Sequence, residues 1–235
     1  MDQPELLNAA RAGDLEAVKK LLKGKADINE TNKSGASALI LAAEKNHADV
    51  AKFLVEEGAD LTIETKLGGT ALTRAAENGN IELLKFLLDK GSKIGDLSLI
   101  AAARYNNIEA VKLLLEAGAD VDAQQRWGHT ALMLAAKAGN TQVVKYLIDR
   151  GANVKLRDKN GDTAMMIAMD NEQEDIAMIL QRKGAKVEVK QKKKESAPVL
   201  ADDDDDDESD DLEDTPDVDD LVDGEDLPDD VDLED

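Results

Sequence analysis

The side chains best suited to chemistry are few and scattered. The chain carries two histidines, His47 and His129, and no cysteine. Acid–base or nucleophilic catalysis needs such a group held within hydrogen-bond reach of a partner, and the two histidines fall in separate stretches at positions expected to be solvated. No serine sits in a G-x-S-x-G elbow, and there is neither a P-loop nor a G-x-G-x-x-G after a strand. Without cysteine, a thiolate metal site and a disulfide framework are both excluded. The Asp-rich C-terminal stretch invites calcium, but Asp219–Glu225 lacks the alternating ligands and loop length of an EF-hand, which leaves only diffuse counter-ion condensation. The expectation is a protein that is not an enzyme and uses no cofactor or dedicated metal; the chemistry left to it is recognition.

Composition fits that expectation. The chain has 235 residues, enough for one elongated domain or two small ones, and is 42% hydrophobic but only 2% aromatic. Ala, Leu, Val and Ile supply most of the apolar content, which suits thin helices packed closely. The net charge of −22 is concentrated at one end. Residues 201–235 hold 22 of the 51 acids and no Lys or Arg, which leaves 29 acids against 29 bases before them. A neutral body with an acidic tail argues against nucleic-acid binding. No stretch approaches 18 consecutive apolar residues, so no membrane span is expected. The N-terminus has early acids and no long apolar run, unlike a secretory signal. Cytoplasmic residence is expected, with the nucleus as second choice because of the short basic run Lys190-Gln191-Lys192-Lys193-Lys194.

The elements that would position any recognition surface recur along the chain. Small-residue pairs appear at Ala9-Ala10, Ala42-Ala43, Ala75-Ala76, Ala102-Ala103 and Ala135-Ala136, with Ala168-Met169 as an imperfect last copy; their spacings are 33, 33, 27, 33 and 33. Fifteen residues after each pair comes Gly58, Gly91, Gly118, Gly151 or Gly184, and in the first unit Lys25, preceded by Gly24. Each unit reads as a short apolar segment such as Leu39–Lys45, an Asn or Gly, and a second segment such as Asp49–Glu57. Val50, Phe53 and Leu54 recur there with helical spacing. The closing Gly suits the left-handed end of a helix. Helices of roughly 8–10 residues are marginal alone in water, so the units must stack. The column of Phe53, Phe86, Leu113, Tyr146 and Ile179 is expected to be core. Its first member is Lys20, and the last unit carries Glu174 where others have Leu15, Ile81, Ile108 or Thr141, and Gln181 where others have Leu, Val or Ile, as the ends of a soluble stack require.

The pattern G-x-T-A-L-x-x-A-A-x-x-G, followed by apolar pairs and a closing Gly, is clear in Gly68–Gly79 and Gly128–Gly139 and weaker in Gly35–Asn46 and Gly161–Glu172. It resembles the ankyrin repeat family over about residues 4–188. The family's Pro after Thr is Ala here (Ala38, Ala71, Ala131, Ala164), and its His is Ile40, Thr73, Met133 or Met166. The resemblance implies an all-α ankyrin-type solenoid of helix pairs with short β-turn fingers, in an L-shaped stack. The repeat domain is expected over 1–188, in units of about 1–31, 32–64, 65–94, 95–124, 125–157 and 158–188. It also implies a monomer that holds a protein partner on a concave groove lined by fingers and first helices, although fold alone does not fix function.

Against that pattern, Tyr105 and Trp127 are the aromatics at variable, exposed positions. Arg104, Arg126, His129 and Lys137 are expected to face the same groove. Trp, Tyr and Arg are the types over-represented at binding hot spots. The blander reading is that Trp127 shields a neighbouring backbone. The 27-residue spacing predicts a truncated finger before unit four, leaving a notch beside the expected junction of Tyr105 and Trp127; a harmless loop deletion is the competing explanation. Residues 189–235, basic at 190–194 and acidic at 202–235, are expected to be a disordered tail, because like charges repel and little apolar surface offsets ordering entropy. Such a tail would modulate solubility or binding. In the rival reading it acts alone, as an acidic chaperone or nucleic-acid mimic that captures basic proteins.

Overall fold

The computed structural model describes residues 4–185. The expectations for the tail at 189–235, its basic and acidic runs, and the end of unit six lie outside these residues. Twelve α-helices follow in pairs: α1 (Glu5–Ala12) and α2 (Leu15–Lys23), α3 (Ala38–Glu44) and α4 (Ala48–Glu56), α5 (Ala71–Glu77) and α6 (Ile81–Asp89). The second half holds α7 (Asp96–Arg104) and α8 (Ile108–Glu116), α9 (Ala131–Lys137) and α10 (Thr141–Asp149), α11 (Ala164–Asp170) and α12 (Glu174–Arg182). Among the described residues there is no extended strand; one antiparallel bridge joins Thr31 to Ser37. The all-helical solenoid of six pairs is the architecture that the repeat implied.

Local chemistry starts and stops each helix. Ser37, Thr70, Thr130 and Thr163 accept a hydrogen bond from the backbone N–H three residues on, which satisfies one orphan donor of α3, α5, α9 and α11. The tight turn inside each pair needs a left-handed residue. Asn46, Asn106 and Glu172 adopt it at φ near 60° where the other units place Gly13, Gly79 and Gly139. Lys25 adopts it at φ 66° in place of the closing Gly.

Burial alternates with the direction of stacking. Inner first helices are the most enclosed: α3 buries six residues, Ala38 to Ala43, and α9 six, Ala131 to Ala136. Each packs on the first helices before and after it. Second helices bury a narrower stripe, such as Val50, Ala51 and Leu54 in α4. One column of that stripe reads Leu21, Leu54, Leu87, Leu114, Leu147 and Leu180. All are sealed from solvent except Leu21, which belongs to the first unit. The column Val18, Ala51, Leu84, Val111, Val144 and Ala177 is sealed except at Ala177, in the last. The first column therefore faces the preceding unit and the second faces the following one. Each helix pair completes its core with its neighbours.

Phe53, Phe86 and Tyr146 share one environment against the core, as expected of that column, but at its edge and not sealed within it. They are half-buried and pack on the edge of the core, because the adjacent leucine takes the enclosed position. Cations cover their outer faces. Lys19 lies 5.8 Å from the Phe53 ring centre, Lys52 lies 5.9 Å from Phe86, and Arg150 lies 4.7 Å from Tyr146.

Neighbouring units are also joined by polar caps. The last carbonyls of an α-helix have no partner within it, and here the next unit supplies one. His47 Nε2 lies 3.1 Å from Arg11 O. Asn78 donates to Ala43 O and Glu44 O at 2.9 Å each. Asn107 donates to Ala76 O and Glu77 O, and Asn140 to Ala103 O at 2.9 Å and Arg104 O at 2.7 Å. His47 is thus a half-buried cap and not a solvated side chain. Asn140→Ala is expected to destabilise the chain by about 1–3 kcal/mol, the cost of unsatisfied buried polar groups. Denaturant titration checks it, and a midpoint unchanged from the parent would contradict the role.

Unit four departs from its neighbours as the 27-residue spacing anticipates. Its finger is missing, and α7 begins two residues before Ser98, which occupies the helix-start column of Ala71 and Ala131. Ser98 is fully buried, with its hydroxyl 3.1 Å from that of Thr73. Leu97 lies over Gly68, where a β-carbon would sit 3.4 Å from Leu97 Cδ1. The two added helical residues, Asp96 and Leu97, preceded by Gly95 at the N-cap, therefore fill part of the anticipated notch.

Candidate protein-binding face

The four fingers share one internal lock. Asn32, Thr65, Gln125 and Asp158 each donate a backbone N–H to the carbonyl four residues on, at 2.9–3.0 Å. In three of them the side chain also gathers N–H groups across the tip. Asn32 Oδ1 accepts from Ser34 and Ala36, Thr65 Oγ1 from Gly69, and Asp158 Oδ1 from Asn160 and Asp162. Residues between lock and return, such as Arg126 and Trp127, are held out by backbone geometry. Neighbouring fingers are pinned by Lys66 N–H to Ser34 O at 2.9 Å and Lys159 N–H to Trp127 O at 3.0 Å. Unit four has no finger, so the fingers form two pairs with a gap between them.

Glycine permits the close approach of the second pair. Gly128 has φ +83°, and a β-carbon there would lie 2.9 Å from Lys159 N. Gly161 has φ +84° with nothing within 4 Å of that position. Gly161→Ala is expected to cost about 1–2 kcal/mol, the left-handed penalty alone. Gly128→Ala must cost more, because backbone has to move as well. Equal melting temperatures for the two variants would sink this account of finger pairing.

The six residues singled out in the sequence fall into two groups and do not gather at one junction. The first is built on finger five. Arg126 is exposed, Trp127 is half-buried, and the guanidinium lies 5.4 Å from the indole centre. His129 uses both ring nitrogens: Nδ1 lies 2.9 Å from Gln125 Nε2, and Nε2 lies 3.2 Å from Asp158 Oδ2. The Asp158 side chain is only 3% exposed. With Gln125 donating, the tautomer that fits has Nε2–H donating to the carboxylate. His129 is therefore half-buried and pins finger five to finger six, which corrects its expected solvation.

The second group sits at the ends of first helices. Arg104 and Lys137 are the last residues of α7 and α9, where a cation favours the negative end of the helix dipole. Arg104 lies 5.7 Å from the ring of Tyr105, which caps α7. Tyr105 turns toward unit three. Its buried hydroxyl makes no well-formed hydrogen bond, yet it feels the charges of Glu77, Arg104 and Arg74. Arg74 in turn pairs with Glu77 at 2.7 Å. Burial foremost, and then the Glu77 carboxylate, push the Tyr105 phenol up to about 12. A phenol raised above its unfolded value keeps its proton in the folded chain. Its contribution to stability is therefore complete below about pH 10 and is lost as pH rises through about 12. In a Tyr146→Phe variant Tyr105 is the remaining tyrosine, and ultraviolet titration should find its midpoint near 12. A midpoint at the ordinary value would contradict this burial.

This face offers guanidinium, aromatic and ammonium groups on rigid turns, which suits recognition of another surface. Among the described residues, no cluster of three His, Cys, Asp or Glu side chains is arranged to hold a metal, and no helix is long and apolar enough to cross a membrane. Sequence reasoning missed Lys33, Lys66 and Lys159. They share a column with Arg126 and are exposed at the finger tips. Leu67, 40% exposed in the column of Trp127, was missed as well. Aligning the fingers alone would have found all four.

Comparison with known proteins agrees with this geometry. A family model described as ankyrin repeats (3 copies) matches residues 6–97 and again 99–191. Among solved structures, the human ASB11 ankyrin repeat domain superposes with a TM-score of 0.69 at 26% identity, covering 78% of this chain and 85% of that one. A chain from the complex of the predatory endopeptidase Bd0816 of Bdellovibrio bacteriovorus with immunity protein Bd3460 gives a TM-score of 0.67 at 30% identity, covering 78% of this chain and all of that one. No curated protein matches the chain.

Proposed function

Because the chain belongs to the ankyrin repeat family, whose repeat domains generally bind proteins, we propose that it is a protein-interaction adaptor or scaffold. The partner is held on the concave side, by the fingers and the ends of the first helices. The observation that carries this reading is finger five, where exposed Arg126 lies over the half-buried ring of Trp127 on a turn locked at both ends. Rigid aromatic and Arg anchors are the residue types that dominate binding energy. Arg104, Tyr105 and Lys137 extend the surface along the first helices, and His129 holds the finger in place. Likeness to a chain from an endopeptidase–immunity protein complex supports complex formation with a protein as one use of such a stack. The adaptor acts as a monomer in the cytoplasm without catalysis or cofactor, and the acidic residues 202–235 modulate its solubility or binding.

Capture from lysate tests the site, comparing the full chain with a Trp127→Ala, Tyr105→Ala double variant. Loss of the captured protein with unchanged helical circular dichroism is the expected result. Undiminished capture would refute the site. A second reading is favoured by one observation, the 22 acids of residues 201–235. In it that segment alone captures basic proteins, and a peptide of residues 201–235 would bind them with strong salt sensitivity.

A further inference from the structure

Lys33, Lys66, Arg126 and Lys159 occupy the same place in the four fingers, directly after the locking residue, and all four are exposed. None enters an ion pair among the described residues. Arg126 is turned over Trp127. The acids nearby are fewer than the cations and offset the row only in part. Asp158 is buried within its own turn and held against His129; the acids left beside the row are Glu64, two residues before Lys66, Glu30, three before Lys33, and the half-buried Asp162, three after Lys159. The missing finger of unit four doubles the step between the second and third cations. Leu67 and Trp127 stand at the two edges of that gap.

We infer that this row binds an extended acidic segment of a partner protein, with acids in a fixed register about a central apolar residue. Helix layers stack about 10 Å apart, and an extended chain advances about 3.3 Å per residue, so one layer corresponds to about three residues. Acids three and six residues to either side of a centre meet the four cations in turn. The centre lies over the layer where the finger is absent, between Leu67 on one side and Trp127 on the other. Residues 201–235 of this chain do not offer that register: no apolar residue there has acids at all four of those places. The occupant is therefore a segment of another protein. The inference rests on the reading that this face binds protein, and it adds the chemistry of what is bound.

The probe is a fluorescein-labelled peptide with Leu at its seventh position, Asp at the first, fourth, tenth and thirteenth, and Ser elsewhere. Its binding to the full chain is followed by polarisation at low salt. Lys33→Gln, Arg126→Gln and Lys159→Gln should each weaken binding about two- to five-fold, the range for exposed charge pairs. Lys66→Gln should have the smallest effect, because Glu64 already offsets it. The quadruple variant should abolish binding, and raising salt to about 0.5 M should weaken it more than about tenfold by screening. Moving the four Asp together at one end should also weaken binding several-fold. No binding at low salt, equal binding of the rearranged peptide, or unchanged binding by the quadruple variant would each overturn the inference. The Trp127→Ala, Tyr105→Ala capture experiment is scored separately. If the peptide fails while that capture is still lost, only the acidic register is wrong.

Discussion

Leu114→Ala is expected to lower the free energy of unfolding by about 2–5 kcal/mol, and Leu21→Ala by clearly less. Both leucines belong to one column, six units deep. Leu114 is sealed between unit four and the unit before it, whereas Leu21, in the first described unit, stays half-exposed. Truncating Leu114 removes transfer energy and leaves a cavity whose walls belong to two units. Truncating Leu21 shortens a side chain that already touches water. The contrast follows from stability built by nearest neighbours, as in any stack of repeats. Denaturant unfolding of the two variants measures it. Equal losses would mean that burial between units does not set the cost.

Removing Trp127 and Tyr105 together is expected to cost the partner complex about 4 kcal/mol, at about 2 kcal/mol for each hot spot. That corresponds to roughly a thousandfold in Kd. The fold should tolerate the change. Trp127 lies on a finger whose lock is backbone to backbone, and its link to finger six uses the Trp127 carbonyl, which alanine retains. Tyr105 follows α7, and its buried hydroxyl makes no well-formed bond that its loss would break. The two groups are built on different units, so their effects on binding should be separable. If one single variant accounted for the whole loss while the other bound like the parent, one group alone would form the site.

The sequence disclosed the periodic features well. About six repeats, the small-residue pairs inside their first helices, the polar substitutions at the ends and the missing finger were all legible, because each is a departure from or return to a fixed spacing. Three features were not. The half-buried state of Phe53 depends on which of two adjacent positions, 53 or 54, takes the enclosed site, and periodicity treats them alike. The pairing of His129 with Asp158 crosses 29 residues and depends on how closely two fingers approach. The deletion before unit four reads as an empty place in sequence, whereas Gly95 and Asp96 start α7 early and Leu97 covers Gly68. In the candidate site, Arg126 and Trp127 stood out by type, while the cations beside them needed the fingers to be laid over one another.

Which side of the stack meets a partner is tested most directly by backbone hydrogen exchange on the full chain, alone and saturated with the protein it captures. Slowed exchange is predicted in the fingers at 64–69 and 124–130 and where α7 ends at Arg104 and Tyr105, with α4, α6, α8 and α10 unchanged. Protection confined to those second helices, with the fingers unaffected, would contradict it.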